Sequence, residues 1–249
     1  SLDAGASQIS VEIRGGGADL IRVTDNGCGI PPDELQLVAQ RHATSKIAEA
    51  SDLEAIATLG FRGEALHSIA AVSQIQLTTR TAADDAAHSL LLQWGSTVSQ
   101  GVQAAPPGTS VTVRDLFGNV PARRKFLRSP SAEAARVSDL VSRFALAFCE
   151  VRFLLTIDGH SVITAPGDSR PVNALAAVYG AEVASGMLEA RYSEPAAGGY
   201  EVWGFITPPS VTRVNRTYTS FFVNRRWIQS RPLSYALERL AELYRYRDL

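Results

Sequence analysis

The sequence predicts a mixed α/β protein whose first part is a sheet layered with helices. Two observations predict this class: strand-like alternation and helix-like periodicity both occur, and they follow one another along the chain. The segments that carry these patterns are residues 8–14, 19–24, 63–72, 74–80, 110–116 and 132–149. Strands and helices in such a mixed order are typical of an α/β layered domain.

The first two strands are predicted to form a hairpin. Residues 8–14 alternate polar and apolar side chains, which is the period of a half-buried strand. Gly15-Gly16-Gly17 then turns the chain, and residues 19–24 form the second strand. Asp25 is therefore predicted to lie at the end of the second strand. Pro31-Pro32-Asp33-Glu34 follows as a helix-start signal.

The middle of the chain is predicted to alternate between short helices and strands. We expect helices at 53–59, 63–72 and 132–149, strands at 74–80, 88–94 and 110–116, a Pro/Gly-rich link at 100–108, and a hairpin at 152–163. The hairpin is expected to turn at Asp158-Gly159.

A domain boundary is predicted at Ala165-Pro166-Gly167-Asp168. We therefore expect a first domain over residues 1–166 and a second over 167–249. The second is predicted to be a smaller α/β unit with helices at 172–184 and 232–246 and strands at 200–206 and 218–223.

Composition limits the class of protein. The 249 residues are enough for two domains, and an apolar content of 45% allows a sizeable core. The net charge of −1 gives the whole chain no nucleic-acid signature, although residues 114–128 and 213–231 are locally basic. Cys28 and Cys149 suggest neither a disulfide framework nor a metal site, which favours a cytoplasmic location. No apolar run is long enough to predict a membrane span.

Three glycine-containing segments are candidates for one nucleotide site. Asp25 stands beside Gly27 and Gly29 at a strand end, and a carboxylate there can accept a hydrogen bond from an adenine amino group. Thr109 begins a strand and offers a hydroxyl to the purine or to a water. Each residue also has an ordinary interpretation, as an Asp-Asn-Gly turn or as a β-branched strand residue.

Phosphate contacts are predicted from two further segments. Gly60-Phe61-Arg62-Gly63 precedes a helix near Glu64, and the free N–H groups of a helix start bind anions. Flanking glycines would also let this segment hinge over a bound ligand. Thr44, Ser45 and Lys46 supply hydroxyls and a cation that could face a phosphate chain, or they form a solvated loop.

The order and spacing of these segments resemble the GHKL ATPases, and the MutL mismatch-repair family within them most closely. The resemblance depends on long motifs at 41–46, 60–66 and 115–127, in addition to the segments at 25–30 and 108–113. It extends from Ser1 to about residue 240. It implies a Bergerat-type α/β sandwich that binds ATP with Mg²⁺, followed by a smaller α/β domain resembling ribosomal S5 domain 2.

The resemblance also implies a set of site residues and partners. The implied ATP-binding residues are Ala4, Asp25, Gly27, Gly29, Ile30, Thr44, Ser45, Lys46, Gly60, Arg62, Gly63, Glu64, Ala65, Leu66 and Thr109. ATP would order the lid at 60–66 and drive N-terminal dimerisation, closing a clamp around DNA. The implied partners are duplex and single-stranded DNA, a second copy of the chain and a MutS-type mismatch-recognition protein, in the bacterial cytoplasm at the nucleoid.

No catalytic or metal-ligating residue is assigned within the chain. The family motif reads Glu-x-x-x-Asn-Ser-Leu-Asp-Ala-Gly-Ala, and this sequence matches it from its serine onwards, starting at Ser1. The resemblance therefore puts the general-base glutamate and the Mg²⁺-ligating asparagine ahead of Ser1, and a γ-phosphate lysine beyond Leu249. A phosphoryl-transfer site without its base and a metal ligand is expected to be severely impaired in hydrolysis.

Arginines near residue 225 are candidates for DNA contacts. Arg225, Arg226 and Arg231 follow a predicted strand with Trp227 among them, and the resemblance favours Arg226 and Arg231 as DNA-contacting residues. The ordinary alternative is a surface cluster with one packed tryptophan. Two other functions stay open: a nucleotide- or DNA-binding module without turnover, and an ATPase domain of topoisomerase type.

Overall fold

A computed structural model of the chain describes residues 1–35, 37, 65–194, 199–208, 211 and 218–245. Its first part is built on one eight-stranded sheet. The strands are β1 (Gln8–Arg14), β2 (Leu20–Asp25), β3 (Gln74–Arg80), β4 (Ala87–Gln93), β5 (Ser96–Gln103), β6 (Gly108–Arg114), β7 (Arg152–Ile157) and β8 (His160–Ala165). Their spatial order is β5-β4-β3-β6-β2-β1-β7-β8. Every neighbouring pair is antiparallel except β1 and β7.

Within its described residues, this part has three α-helices: α1 (Ala65–Ala70), α2 (Pro121–Arg124) and α3 (Pro130–Ala147). The long helix α3 begins where the sequence supplies a start signal. The Ser129 hydroxyl accepts a hydrogen bond from the N–H of Ala132 at 3.3 Å, and Pro130 occupies the first helical turn. Its buried residues face the sheet, so the helix is held by one apolar face.

Buried apolar residues of the described ranges form two clusters. The first joins α3 to β1, β7 and β8 and contains Ala6, Ile9, Val141, Ala145, Val151, Phe153, Leu155, Ile163 and Ala165. The second joins α1 to β3, β4 and β6 and contains Leu35, Ala70, Ile75, Leu77, Leu90, Leu92 and Val113. The prediction of an α/β layered domain is confirmed.

The later part of the chain is a second set of smaller elements. These are α4 (Pro171–Tyr179), α5 (Ala181–Ser185), β9 (Leu188–Ser193), β10 (Glu201–Ile206), β11 (Phe221–Val223), β12 (Arg226–Ile228) and α6 (Arg231–Arg245). β9 pairs with β10, and β11 pairs with β12, both antiparallel. α4 packs against α3 and β8. None of the helices in the described ranges is long and apolar enough to cross a membrane.

Two predictions about these elements are wrong. The Pro/Gly-rich link expected at 100–108 is shorter, because residues 100–103 belong to β5; this edge strand has only exposed residues and therefore shows no polar–apolar alternation. The single helix expected at 172–184 is two helices, because Gly180 between them is not helical. Strands β9 and β12 were not predicted.

Candidate nucleotide site

Asp25, Thr109 and Thr79 lie side by side on three neighbouring strands. Asp25 ends β2 and pairs in register with Thr109 near the start of β6, which pairs in turn with Thr79 near the end of β3. Side chains of directly opposed residues project from the same face of a sheet. The structure therefore brings two of the sequence-predicted residues together and adds Thr79, which sequence reasoning missed.

The Asp25 carboxylate is fixed in direction by two donors. One oxygen accepts the N–H of Gly27 at 2.9 Å, and the other accepts the Ser1 hydroxyl at 2.6 Å. Only 6% of the side chain is exposed. Because each carboxylate oxygen has two acceptor positions, one further donor can still bind there. An adenine amino group meets that requirement.

Thr79 and Thr109 form a hydroxyl pair at the same strand ends. Their Oγ1 atoms are 3.1 Å apart, and Thr79 Oγ1 also accepts the N–H of Ile30 at 2.8 Å and lies 3.2 Å from the Gly108 carbonyl. Thr79 is fully buried, whereas Thr109 is half-buried. Thr79 is thus occupied by the protein, while the Thr109 hydroxyl keeps capacity for a ligand or a water.

Asn26 holds the turn that follows Asp25. Its side-chain oxygen accepts the N–H groups of Ser7 and Gln8 at 3.0 and 2.8 Å, and its amide donates to the Ser7 hydroxyl at 2.8 Å. Asn26 therefore fixes the turn to the segment that precedes β1. The local contact expected of an Asp-Asn-Gly turn is made by Asp25 itself, whose carboxylate accepts the N–H of Gly27.

Gly27 allows the turn to approach Ala4. A Cβ on Gly27 would lie 2.8 Å from the Cβ of Ala4 and 2.9 Å from its carbonyl oxygen, and the same carbonyl accepts the N–H of Cys28 at 3.0 Å. Ala4 and Gly27, both predicted site residues, are therefore adjacent. Their contact joins the turn after β2 to the residues that precede β1.

Gly29 allows the next step of the chain to approach β3. It has φ of +76°, and a Cβ there would lie 2.2 Å from the carbonyl oxygen of Arg80. Both the conformation and the contact require glycine. The neighbour that Gly29 admits in the structure is the backbone of Arg80.

The remaining described site residues are Ile30, Ala65 and Leu66. Ile30 and Leu66 pack against the second core cluster, and Ala65 is exposed at the start of α1. The predicted lid and phosphate residues Thr44, Ser45, Lys46, Gly60, Arg62, Gly63 and Glu64 lie outside the described residues.

Arg225 is bound within the protein. It occupies the two-residue turn between β11 and β12, and its guanidinium pairs with the Glu150 carboxylate and lies 5.4 Å from the Phe148 ring centroid. Burial raises the pKa of the neighbouring Cys149 thiol, and the charge on Glu150 raises it further. Arg225 therefore links the later elements to the first part of the chain.

Trp227 is packed against an arginine of α3. The Arg143 guanidinium carbon lies 3.5 Å from its ring centroid, a cation–π contact. Arg226 in β12 and Arg231 at the start of α6 are both exposed. Arg225 is exposed too, but its guanidinium is paired with the Glu150 carboxylate.

A surface cleft lies apart from the row that contains Asp25. Its lining residues are Leu2, Gly5, Ala6, Ser7, Phe148, Glu150, Val151 and Arg225. None of them is Asp25, Thr109 or Thr79. Among the described residues, no group of three or more His, Cys, Asp or Glu side chains could hold a metal ion.

Comparisons with known proteins identify relatives of this chain. A family profile described as "DNA mismatch repair protein, C-terminal domain" matches residues 175–247. The chain is 49% identical to the DNA mismatch repair protein MutL of Desulforudis audaxviator and 46% identical to that of Heliobacterium modesticaldum, each over 96% of its length. It spans 42% and 36% of these two relatives, less than half of each.

Two solved structures share the fold. The Aquifex aeolicus MutL ATPase domain complexed with ADP superposes with a TM-score of 0.73 at 28% identity, covering 96% of this chain and 82% of that one. The N-terminal domain of a DNA repair protein gives a TM-score of 0.76 at 25% identity, covering 92% and 71%. The large mixed sheet is thus the fold of a GHKL-type ATPase domain, followed by an S5-like unit. The chain belongs to the MutL family of DNA mismatch repair proteins.

Proposed function

We propose that this chain binds an adenine nucleotide beside Asp25 and Thr109 as part of a MutL-type mismatch-repair ATPase. The observation that carries the proposal is the register of β2 and β6, which puts a nearly buried, oriented carboxylate next to a half-buried hydroxyl. A relative with the same fold has been solved with ADP. Asp25 accepts the adenine amino group, and Thr109 contacts the purine directly or through a water.

The other parts of the reaction are assigned by resemblance. Mg²⁺ would neutralise charge on the phosphates. Residues 60–66 close over them, and Thr44, Ser45 and Lys46 face the phosphate chain. Hydrolysis needs a general-base glutamate and a metal-ligating asparagine, which the family motif has upstream of its Ser-Leu-Asp-Ala-Gly-Ala segment.

The biological role follows from the same family. Nucleotide binding orders the lid and drives dimerisation of two copies, which close a clamp around DNA. We place the nucleotide in residues 1–166 and the DNA contacts in residues 167–249. The clamp couples a MutS-type mismatch-recognition protein to later repair steps in the bacterial cytoplasm, at the nucleoid.

The direct test is isothermal calorimetry of residues 1–249 with ADP and with ATP plus Mg²⁺. A parallel sample carries the upstream residues of a MutL relative that supply the glutamate and asparagine. We expect both samples to bind nucleotide and only the extended one to release phosphate. Binding by neither contradicts the nucleotide site. Binding without hydrolysis by the extended sample contradicts the ATPase and leaves a binding module.

The DNA role predicts a salt-dependent effect of Arg231. Replacing Arg231 with glutamate is expected to weaken DNA binding by about three- to tenfold at about 50 mM salt, and by less at higher salt, because a phosphate contact becomes a repulsion. Nucleotide affinity should not change. Fluorescence anisotropy with labelled duplex DNA measures the effect.

The matched control for Arg231 is Arg152→Glu, which reverses an exposed arginine at the start of β7. Equal weakening by both substitutions would mean that only total charge matters and would contradict a contact at Arg231. A parallel loss of nucleotide and DNA affinity in Arg231→Glu would indicate misfolding.

A further inference from the structure

A basic segment, defined here as Pro121–Arg128, projects from the end of the sheet opposite the candidate nucleotide site. It follows β6, whose far end at Arg114 lies roughly 17 Å from the nucleotide row at ~3.3 Å per strand residue. Seven of its eight residues are exposed. The function proposed above uses none of them.

The basic segment is held rigidly at its base. The N–H of Leu116 donates to the Ala18 carbonyl at 2.9 Å, and that of Phe117 to the Val72 carbonyl at 2.7 Å. The Asn119 side chain donates to the Ala71 carbonyl at 2.9 Å. These bonds connect the chain ahead of Pro121 to the starts of two neighbouring strands. A surface presented in this way loses little conformational entropy when it binds a partner.

Three of the four cations in the segment have no acidic partner in the described part of the chain. Arg124 is the exception, because its guanidinium pairs with Asp115 at 2.9 Å and lies 3.8 Å from Asp19. Arg123, Lys125 and Arg128 are exposed and make no such pair with a described residue. In a chain of net charge −1, this local excess favours an anionic partner.

Phe126 determines which anionic partner fits. Its side chain stands between Lys125 and Arg128 in sequence and is 87% exposed. An exposed phenyl ring with cations beside it in sequence matches a strand that offers phosphates and an accessible base face together. Single-stranded DNA offers both, whereas in a duplex the base faces are covered by stacking.

We propose that the basic segment binds single-stranded DNA, with Arg123, Lys125 and Arg128 on phosphates and Phe126 stacked on an unpaired base. The proposal rests on the DNA-binding role proposed above, and it adds a second contact surface separate from Arg226 and Arg231. Three phosphate contacts correspond to a slope of about −2 in log K against log salt for a single strand.

The first test reverses two of these charges in Arg123→Glu/Lys125→Glu. Anisotropy with a fluorescein-labelled oligothymidylate of about 20 nucleotides should show at least about tenfold weaker binding at about 50 mM salt. The salt slope should become shallower by about 1.4. The control is Arg152→Glu/Arg170→Glu, two exposed arginines outside the segment, and it should retain most of the affinity.

The second test separates stacking from charge. Phe126→Ala should weaken single-strand binding by about tenfold, Phe126→Trp should restore it, and duplex binding should change little. The thermal unfolding midpoint should not move, since the side chain is exposed. A fall in that midpoint of more than a few degrees would show that Phe126 is covered by the protein itself, which overturns the proposal.

The outcomes distinguish this proposal from the one on which it rests. If the unmodified chain binds no DNA at low salt, both the DNA role and the basic segment are refuted. If the chain binds DNA and Arg231→Glu weakens it, while Arg123→Glu/Lys125→Glu does not, only the inference about the basic segment fails.

Discussion

Replacing Asp25 with asparagine is expected to weaken ATP binding by about 10- to 100-fold while leaving the fold intact. The carboxylate accepts two donors in the structure and has acceptor capacity left for the adenine amino group. A hydrogen bond to a charged acceptor contributes about 1.5–3 kcal/mol, which corresponds to that range of affinity. Asparagine has nearly the same shape, so its effect is on hydrogen bonding and charge.

The most specific test of the Asp25→Asn prediction is the selectivity for adenine over guanine nucleotides. Adenine presents an amino donor where guanine presents a carbonyl acceptor. The amide of Asp25→Asn can donate to that carbonyl, so the ratio of ATP to GTP affinity should fall. Calorimetry with both nucleotides measures the ratio. An equal loss for ATP and GTP would contradict recognition of the base edge by Asp25.

Asp19→Asn is the matched control, because it makes the same chemical change just before the other end of β2. The side chain of Asp19 is 66% exposed and lies beside Arg124, far from Thr109. We expect no change in nucleotide affinity. Unchanged affinity in both variants would remove Asp25 from the site.

The sequence predicts the inner strands well because burial leaves a pattern there. β1 and β3 begin and end at the predicted residues, since each alternates between a core face and a more polar face. β5 was not predicted because it pairs on one side only and all its residues are exposed. An edge strand with no buried face gives no alternation to detect.

The sequence predicts two of the side chains in the candidate site, but their arrangement follows from the tertiary structure. Asp25 and Thr109 could be named from their motifs, but only strand register shows that they are neighbours. Thr79 resembles any β-branched strand residue, and its role in orienting Thr109 depends on a hydroxyl contact that sequence does not encode locally. Arg225 likewise is a candidate for a phosphate contact from the sequence, whereas in the structure its guanidinium pairs with Glu150.

Gly29→Ala is expected to lower the free energy of unfolding by on the order of 3–5 kcal/mol. Two costs add. The residue has φ of +76°, a conformation that a Cβ disfavours, and the new Cβ would lie 2.2 Å from the Arg80 carbonyl oxygen. That oxygen belongs to the backbone, so it cannot move aside without displacing the end of β3. Urea denaturation followed by circular dichroism measures the change.

Gly159→Ala separates these two costs. Gly159 also has a positive φ, +84°, but nothing lies within 4 Å of its added Cβ. We expect this control to lose only about 1–2 kcal/mol, the cost of the conformation alone. Similar losses in the two variants would show that the contact with Arg80 contributes nothing. A larger loss at Gly29 should be accompanied by weaker nucleotide binding, because Ile30 next to it donates to Thr79, which in turn contacts Thr109.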